Sequence, residues 1–255
     1  MSADITRIAT ALDQAARKAE AVAQFSASAG FSLEQAYQIQ RASMQLRQDD
    51  GERLIGVKLG FTSRAKMIQM GVDSLIWGWL TDRMLEEDGG LVSLSRYIHP
   101  RVEPEVCFLT RRAIDRPLTL LEAADYLEAV APALEIIDSR YQNFKFSLED
   151  VVADNCSSAG LVVGPWSREF DAIGNAGVLL RMDGRLVQAG STAAILGHPL
   201  RSLVQASKLL GDAGIVLPAG SLVMAGAATA AEPLRAGSHV SVEIEGLGES
   251  GFSVI

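Results

Sequence analysis

The hydrophobic period changes once along this chain, and that change limits the fold to a helical start followed by a β-rich remainder. Residues 3 to about 26 place Ile5, Ile8, Leu12, Ala15, Ala16, Ala19 and Val22 at the spacing of one helix face. Ser32-Leu33-Glu34-Gln35 has the form of a capping box and predicts a second helix through about Gln48. The acidic run 49–52 closes the helical part. Beyond it, LIGVKLGF (54–61), VEPEVCFL (102–109) and ALEIID (133–138) read as strands. Ser63 predicts the cap of a short helix ending at Gly71, and TLLE (119–122) the start of another. Asp183-Gly184 centres a hairpin over 179–187, because both residues tolerate positive φ. An amphipathic helix with a glycine stop follows at 199–214, then late strands at 221–226 and 239–246. The fold class is α+β. A helical lobe is expected over 1–75 and a β-rich lobe over 76–255.

With 48% hydrophobic residues, a chain of 255 residues can bury a sizeable core. No apolar run approaches the roughly 18 residues of a membrane span. The first ten residues lack the apolar centre of a signal peptide, so a cytoplasmic protein away from membranes is expected. A net charge of −8 without a basic stripe argues against a nucleic-acid partner. Cys107 and Cys156 lack the paired spacing of a zinc or redox site and are expected as buried free thiols.

Glu103-Pro104-Glu105 places two carboxylates on one face of a strand, about 6.5–7 Å apart along the backbone. They either form a polar strand edge or converge on one cation, since buried carboxylates need a counter-charge. Glu135 sits among aliphatic residues in Ala133-Leu134-Glu135-Ile136-Ile137, which makes a surface position harder to defend. Three carboxylates without histidine suit a hard cation, magnesium or manganese. Lys58 interrupts the apolar strand 55–61 in the same way. It either snorkels outward or faces a site that lowers its pKa. Ala153-Asp154-Asn155-Cys156-Ser157-Ser158 is a generic polar turn whose small groups can present donors to a carboxylate.

The segments GVKLGFTSRAKMIQMGV, HPRVEPEV, ALEIIDSRYQNFKF, VVADNCSS and ILGHPL occur in this order. Together they resemble the fumarylacetoacetate hydrolase superfamily, in the branch of hydratases and decarboxylases of aromatic meta-cleavage pathways. The resemblance runs from about residue 50 to the C-terminus. It implies a fumarylacetoacetate-hydrolase-like lobe and a Mg²⁺ or Mn²⁺ site at Glu103, Glu105 and Glu135. It also implies catalytic roles for Lys58, contributed from the first lobe, and for Ser157 and Ser158. Asp154, Lys145 and Thr229 fall in family-like segments and are expected beside the substrate. A homo-oligomer, and a complex with a 2-hydroxypentadienoate hydratase, are further expectations from the resemblance.

Within this branch, hydratases carry an Asp-Phe-Gly where this chain has Ile76-Trp77-Gly78, which removes the acid suited to adding water. The run 137–155 also looks more like the decarboxylases. The favoured reaction is metal-dependent loss of CO₂ from a small 2-oxo dicarboxylate, 2-oxo-3-hexenedioate. Ile76, Trp77 or Trp79 supplies an apolar wall near the departing carboxylate, or the tryptophans serve as core. Leu75 stands where both groups usually have proline. The alternatives are 2-hydroxypenta-2,4-dienoate hydration, acylpyruvate-type carbon–carbon hydrolysis, and a non-catalytic partner subunit of a hydratase. His99, His198 and His239 lie at strand or turn boundaries, away from the position of the hydrolases' histidine, and structural roles are expected for them.

Overall fold

The computed structural model describes residues 3–26, 30–63 and 75–255. The short helix expected between Ser63 and Gly71 falls mostly outside them. Helix α1 spans Ala3–Lys18 and α2 spans Leu33–Asp49. The capping box forms as expected: Gln35 N–H donates to Ser32 Oγ, and Ser32 N–H donates back to Gln35 Oε1. Helix α1 stops well short of residue 26. Ala19 turns left-handed at φ 52°, and Val22 then bridges to Tyr141, its N–H donating to the Arg140 carbonyl at 2.9 Å. Pairing with that later segment replaces the last two expected helical turns.

Two sheets carry the rest. Strands β1 (Leu54–Gly60), β2 (Ile76–Thr81) and β3 (Leu85–Glu86) join the larger sheet. So do β5 (Arg101–Thr110), β6 (Leu127–Ile137), β7 (Ser158–Val163) and β10 (Leu222–Ala227). Their order is β2-β1-β10-β5-β6-β7-β3, with the short β11 (Glu232–Pro233) pairing the start of β5. The smaller sheet begins with β4 (Leu91–Val92), β8 (Gly177–Met182) and β9 (Arg185–Ser191). With β12 (His239–Ile244) and β13 (Gly248–Val254) its order is β4-β13-β12-β8-β9. Its hairpin turns where expected, with Asp183 at φ 52° and Gly184 at φ 74°.

The main core lies between the sheets, where Val106, Phe108, Val130, Leu134 and Ile136 meet Val240, Val242, Ile244 and Phe252. A second cluster joins Ile5, Ile8 and Leu12 of α1 to Ile39 of α2 and to Val151 and Val152 of α3 (Leu148–Ala153). Helix α4 (Leu200–Asp212) covers the main core and ends near Gly214 at φ 69°. The α-helix expected from residue 119 does not form. Thr119 Oγ1 donates to Glu122 Oε2 at 2.9 Å, but β6 begins at Leu127, leaving room only for a 3₁₀ turn over Ala123–Tyr126. The apolar stretch from 127 pairs along nearly all of β5, and those ladder bonds outweigh a short helix. The expected boundary after residue 75 lies between β1 and β2, which the sheet pairs antiparallel. Among the described residues, no helix is long and apolar enough to cross a membrane. Cys107 and Cys156 are buried and free.

A buried ion pair ties the helical cluster to the sheet. Arg140 Nε contacts Asp154 Oδ1, and the Arg140 backbone N–H donates to Asp154 Oδ2 at 2.9 Å. The guanidinium also donates to the carbonyls of Asp138 (2.6 Å), Ser158 (3.1 Å) and Asp154. Burial pushes the Asp154 carboxyl up to about 6 against the opposing pull of Arg140. Removing one partner of such a pair strands the other without solvent. Arg140→Met should therefore cost about 3–5 kcal/mol of stability. Urea denaturation, compared with the wild type at pH 7, measures this; a loss below about 1 kcal/mol would show the pair to be dispensable.

Candidate active site

Strand alternation builds the site on one face of the large sheet. Glu103 and Glu105 occupy alternate positions of β5, and Glu135 of β6 is the ladder partner of Glu103. The three carboxylates offer oxygens that all lie within 4.8 Å of one another, and all three residues are buried. The strand-edge reading of the Glu-x-Glu pair is thereby replaced by convergence. Lys58, on β1, reaches the same place and sets its Nζ 3.1 Å from Glu135 Oε1.

The electrostatics of this cluster are unbalanced. Among the described residues, one ammonium, that of Lys58, faces three carboxylates. Burial, with the neighbouring charge of Glu135 behind it, raises the Glu105 pKa well above the ordinary range. Glu135 is raised chiefly by burial as well. Glu105 Oε2 accepts the Gly226 N–H at 2.7 Å and Glu135 Oε1 faces the Lys58 ammonium, while among the described residues Glu105 Oε1 and Glu135 Oε2 are buried without a hydrogen-bond donor. Orphaned buried carboxylate oxygens of this kind are a fit for a hard divalent cation, whose ligands are oxygens. The expectation for Lys58 is corrected in sign. Burial pulls its pKa down, but Glu135, Cys156, Glu105 and Glu103 together hold it above the usual lysine range. Nor does it snorkel: its side chain is 4% exposed.

The cluster opens onto a cleft of about 700 Å³. Lys58, Glu103, Ile76, Ser157 and Lys145 line it, as do Phe61, Cys156, Phe144 and Phe146. Ser157 arrives there through an unusual backbone. Asn155, Cys156 and Ser157 are all left-handed, at φ 48°, 53° and 57°. Non-glycine residues reach that region at a cost, which the surroundings must offset. Here Asn155 mimics a strand neighbour, its Oδ1 accepting Trp79 N–H at 2.7 Å and its Nδ2 donating to Trp79 O at 2.9 Å. Cys156 Sγ donates to Trp77 O at 3.0 Å. Among the described residues, the buried Ser157 hydroxyl has no hydrogen-bond partner, which leaves its donor and acceptor capacity for a ligand.

Other residues singled out by sequence lie elsewhere. Ser158 contacts Met84 Sδ through its Oγ and borders a separate arginine-lined hollow, because consecutive residues entering β7 face opposite sides. Trp77 packs against Tyr37, ring centroids 5.4 Å apart, and edge-on to Trp79; it belongs to the core, outside the cleft lining. Asp154 is engaged by Arg140 and acts on the cleft only by holding the turn that carries Ser157. Thr229 donates to the Ala230 carbonyl and stands beside the lining residues Ala230 and Ala231. Sequence reasoning missed Arg101, Phe144 and Gly226. The HPRVEPEV segment contained Arg101 at the same two-residue spacing as the glutamates, a signal that was present.

The family model for the C-terminal region of fumarylacetoacetate hydrolase (FAA_hydrolase) matches residues 79–255. A 4-oxalocrotonate decarboxylase of Pseudomonas sp. is 51% identical over 249 residues, covering 98% of this chain and 97% of that one. A 2-hydroxyhexa-2,4-dienoate hydratase of Comamonas testosteroni is 34% identical, with coverages of 85% and 84%. The solved 4-oxalocrotonate decarboxylase of Pseudomonas putida G7, complexed with magnesium and adipate, superposes with a TM-score of 0.96 at 34% identity. It covers 100% of this chain and 98% of that one.

Gly226 offers a test of how the cluster is held. It sits at φ 105°, and a Cβ there would lie 2.0 Å from Thr62 Oγ1. Gly226→Ala should lose about 1–3 kcal/mol through backbone strain and a comparable amount through the clash. Thermal melting of Gly226→Ala and of Gly226→Ala/Thr62→Gly, the latter against Thr62→Gly alone, separates the two contributions, because the Thr62 Cβ would itself lie 2.7 Å from the new Cβ. The double variant should recover only part of the loss; full recovery would show that the backbone tolerates the conformation.

Proposed function

Because the chain belongs to the fumarylacetoacetate hydrolase family, we propose that it is a magnesium-dependent carboxy-lyase that converts 2-oxo-3-hexenedioate to 2-hydroxypenta-2,4-dienoate and CO₂. The observation that carries this reading is the convergence of three buried carboxylates with Lys58 on the floor of one cleft. The solved relative complexed with magnesium and with adipate, a six-carbon dicarboxylate, supports the choice of cation and of substrate size.

Glu103, Glu105 and Glu135 would hold the cation, which supplies Lewis-acid stabilisation of the ketone oxygen as that oxygen gains charge. The reaction breaks the C5–C6 bond. Its electron pair forms C4=C5, the C3=C4 pair moves to C2–C3, and the C2 oxygen takes the negative charge. Lys58 Nζ, a buried ammonium beside Glu135, supplies a proton donor at that oxygen. Ser157 Oγ, buried and unpartnered, is assigned to the C1 carboxylate. Ile76, buried on the cleft wall, keeps water and acid away from the departing group. The sequence-assigned contacts of Ser158, Trp77 and Thr229 with substrate are not part of this reading, since none lines the cleft.

Ile76 also favours decarboxylation over hydration, because it leaves no acid at that wall to protonate a diene. None of the three histidines lines the cleft, so the histidine-dependent hydrolysis is disfavoured. A complete set of buried polar groups in an open cleft argues against a non-catalytic subunit. Self-association, and association with a hydratase that consumes the product, belong to the same reading and rest on the family.

Two measurements test it. Purified protein with Mg²⁺ and 2-oxo-3-hexenedioate should release CO₂, and should hydrate 2-hydroxypentadienoate at least ten times more slowly. Efficient hydration without CO₂ would make the chain a hydratase. Lys58→Ala should lower turnover by about 10²-fold or more, the size of a general acid–base contribution, while Mg²⁺ affinity by calorimetry is retained. Near-normal turnover would remove Lys58 from the chemistry.

A further inference from the structure

The charged groups of the cleft are divided between its floor and its rim. Lys58 and Glu103 are buried at the floor, whereas Arg101 and Lys145 are exposed. Arg101, Glu103 and Glu105 lie on one face of β5 at successive two-residue intervals. The cation end of this row is therefore about 6.5–7 Å along the strand from Glu103. That spacing is comparable with the reach of an extended six-carbon diacid beyond a head group held at the glutamates.

Arg101 is also held in place without being neutralised. Its guanidinium carbon lies 4.6 Å from the centroid of the Phe144 ring, which borders the same cleft. That ring is presented by two successive left-handed residues, Asn143 at φ 58° and Phe144 at φ 56°. Among the described residues, no carboxylate forms an ion pair with Arg101, although most other arginines that border a cavity have one. A guanidinium stacked on an aromatic face keeps its in-plane donors open for a carboxylate.

We propose that Arg101, positioned by Phe144, is the specificity-determining counter-charge that selects a 2-oxo acid bearing a second, distal carboxylate over one without it. This rests on the substrate reading above and deepens it. Arg101 acts on binding and not on bond breaking: a cation that held the departing carboxylate tightly in the transition state would oppose its loss as neutral CO₂. The contact exists only while the distal carboxylate does. The product, a monoanion, has no group to place there, so substrate and product differ by the interaction at the rim. Lys145, on the same rim, adds to the field that draws a dianion inward.

The test compares 2-oxoadipate with 2-oxohexanoate, which share head group and chain length and differ in one carboxylate. Dissociation constants are measured by calorimetry on the Mg²⁺-loaded wild type, Arg101→Gln and Arg101→Lys. The wild type should favour 2-oxoadipate by about tenfold. Arg101→Gln should lose most of that preference through weaker 2-oxoadipate binding, with 2-oxohexanoate unchanged, and Arg101→Lys should keep part of it. Steady-state decarboxylation by Arg101→Gln should show a raised KM with kcat not reduced. An unchanged ligand preference in folded Arg101→Gln overturns the proposal, as does a fall in kcat at constant KM. Absence of CO₂ release by the wild type, with the ligand preference intact, would instead overturn the assigned reaction and leave the selectivity of Arg101 standing.

Discussion

Three carboxylates buried on neighbouring strands are a liability that the surrounding structure must offset. Glu103, Glu105 and Glu135 repel one another and have lost their water, so each needs a donor or a cation. Among the described residues, the fold supplies two partial answers. Lys58 comes from β1, across the intervening β10, and Gly226 donates its N–H from the irregular end of β10. Among the described residues, Glu105 Oε1 and Glu135 Oε2 still lack donors. The strand order β1-β10-β5-β6 thus does more than close a core, because it brings the ammonium, the amide and the carboxylates to one point.

Rigidity and adaptability are separated around this point. The head-group side is built on strands whose side-chain directions are fixed by the ladder. Part of the cleft's wall comes instead from two left-handed turns, Asn155–Ser157 through Cys156 and Ser157 and Asn143–Phe144 through Phe144, beside Ile76 of β2. Such turns persist because neighbours over-determine them, as Asn155 does by bonding to both backbone groups of Trp79. Behind them, the Arg140–Asp154 pair anchors the turn to β6, and Asp138 accepts the N–H groups of Ile98 and His99 at 2.8 Å each.

The legible parts of this molecule were those with a period or a local cap. Alternation exposed β5 and β12, the capping box marked α2, and Asp183-Gly184 located its hairpin. A glutamate or lysine inside an apolar strand was legible for the same reason, since alternation leaves it nowhere to go but inward or across the sheet. What failed depended on distant partners. Helix α1 ends at Lys18 because Val22 pairs with Tyr141, and the segment after Thr119 yields to a ladder with β5. Ser157 and Ser158 are adjacent in sequence and face different hollows, which no spacing rule separates without knowing where β7 begins. Gly226 was invisible because its value lies in the absence of a side chain opposite Thr62.

The parallel pairing of β1 with β10 joins Val57 to Val223 and Lys58 to Met224. During synthesis, therefore, the lysine emerges early and soon has β2 on one side, but its neighbour on the other side, β10, follows only after most of the chain has left the ribosome. Parallel pairings of such sequence separation are slow to close, and an edge waiting for its neighbour is open to wrong partners. A nascent chain cut between Ile137 and Leu222 would carry the three site glutamates and the lysine yet lack the strand that lies between them. For this enzyme, the last quarter of translation decides whether any catalyst exists at all.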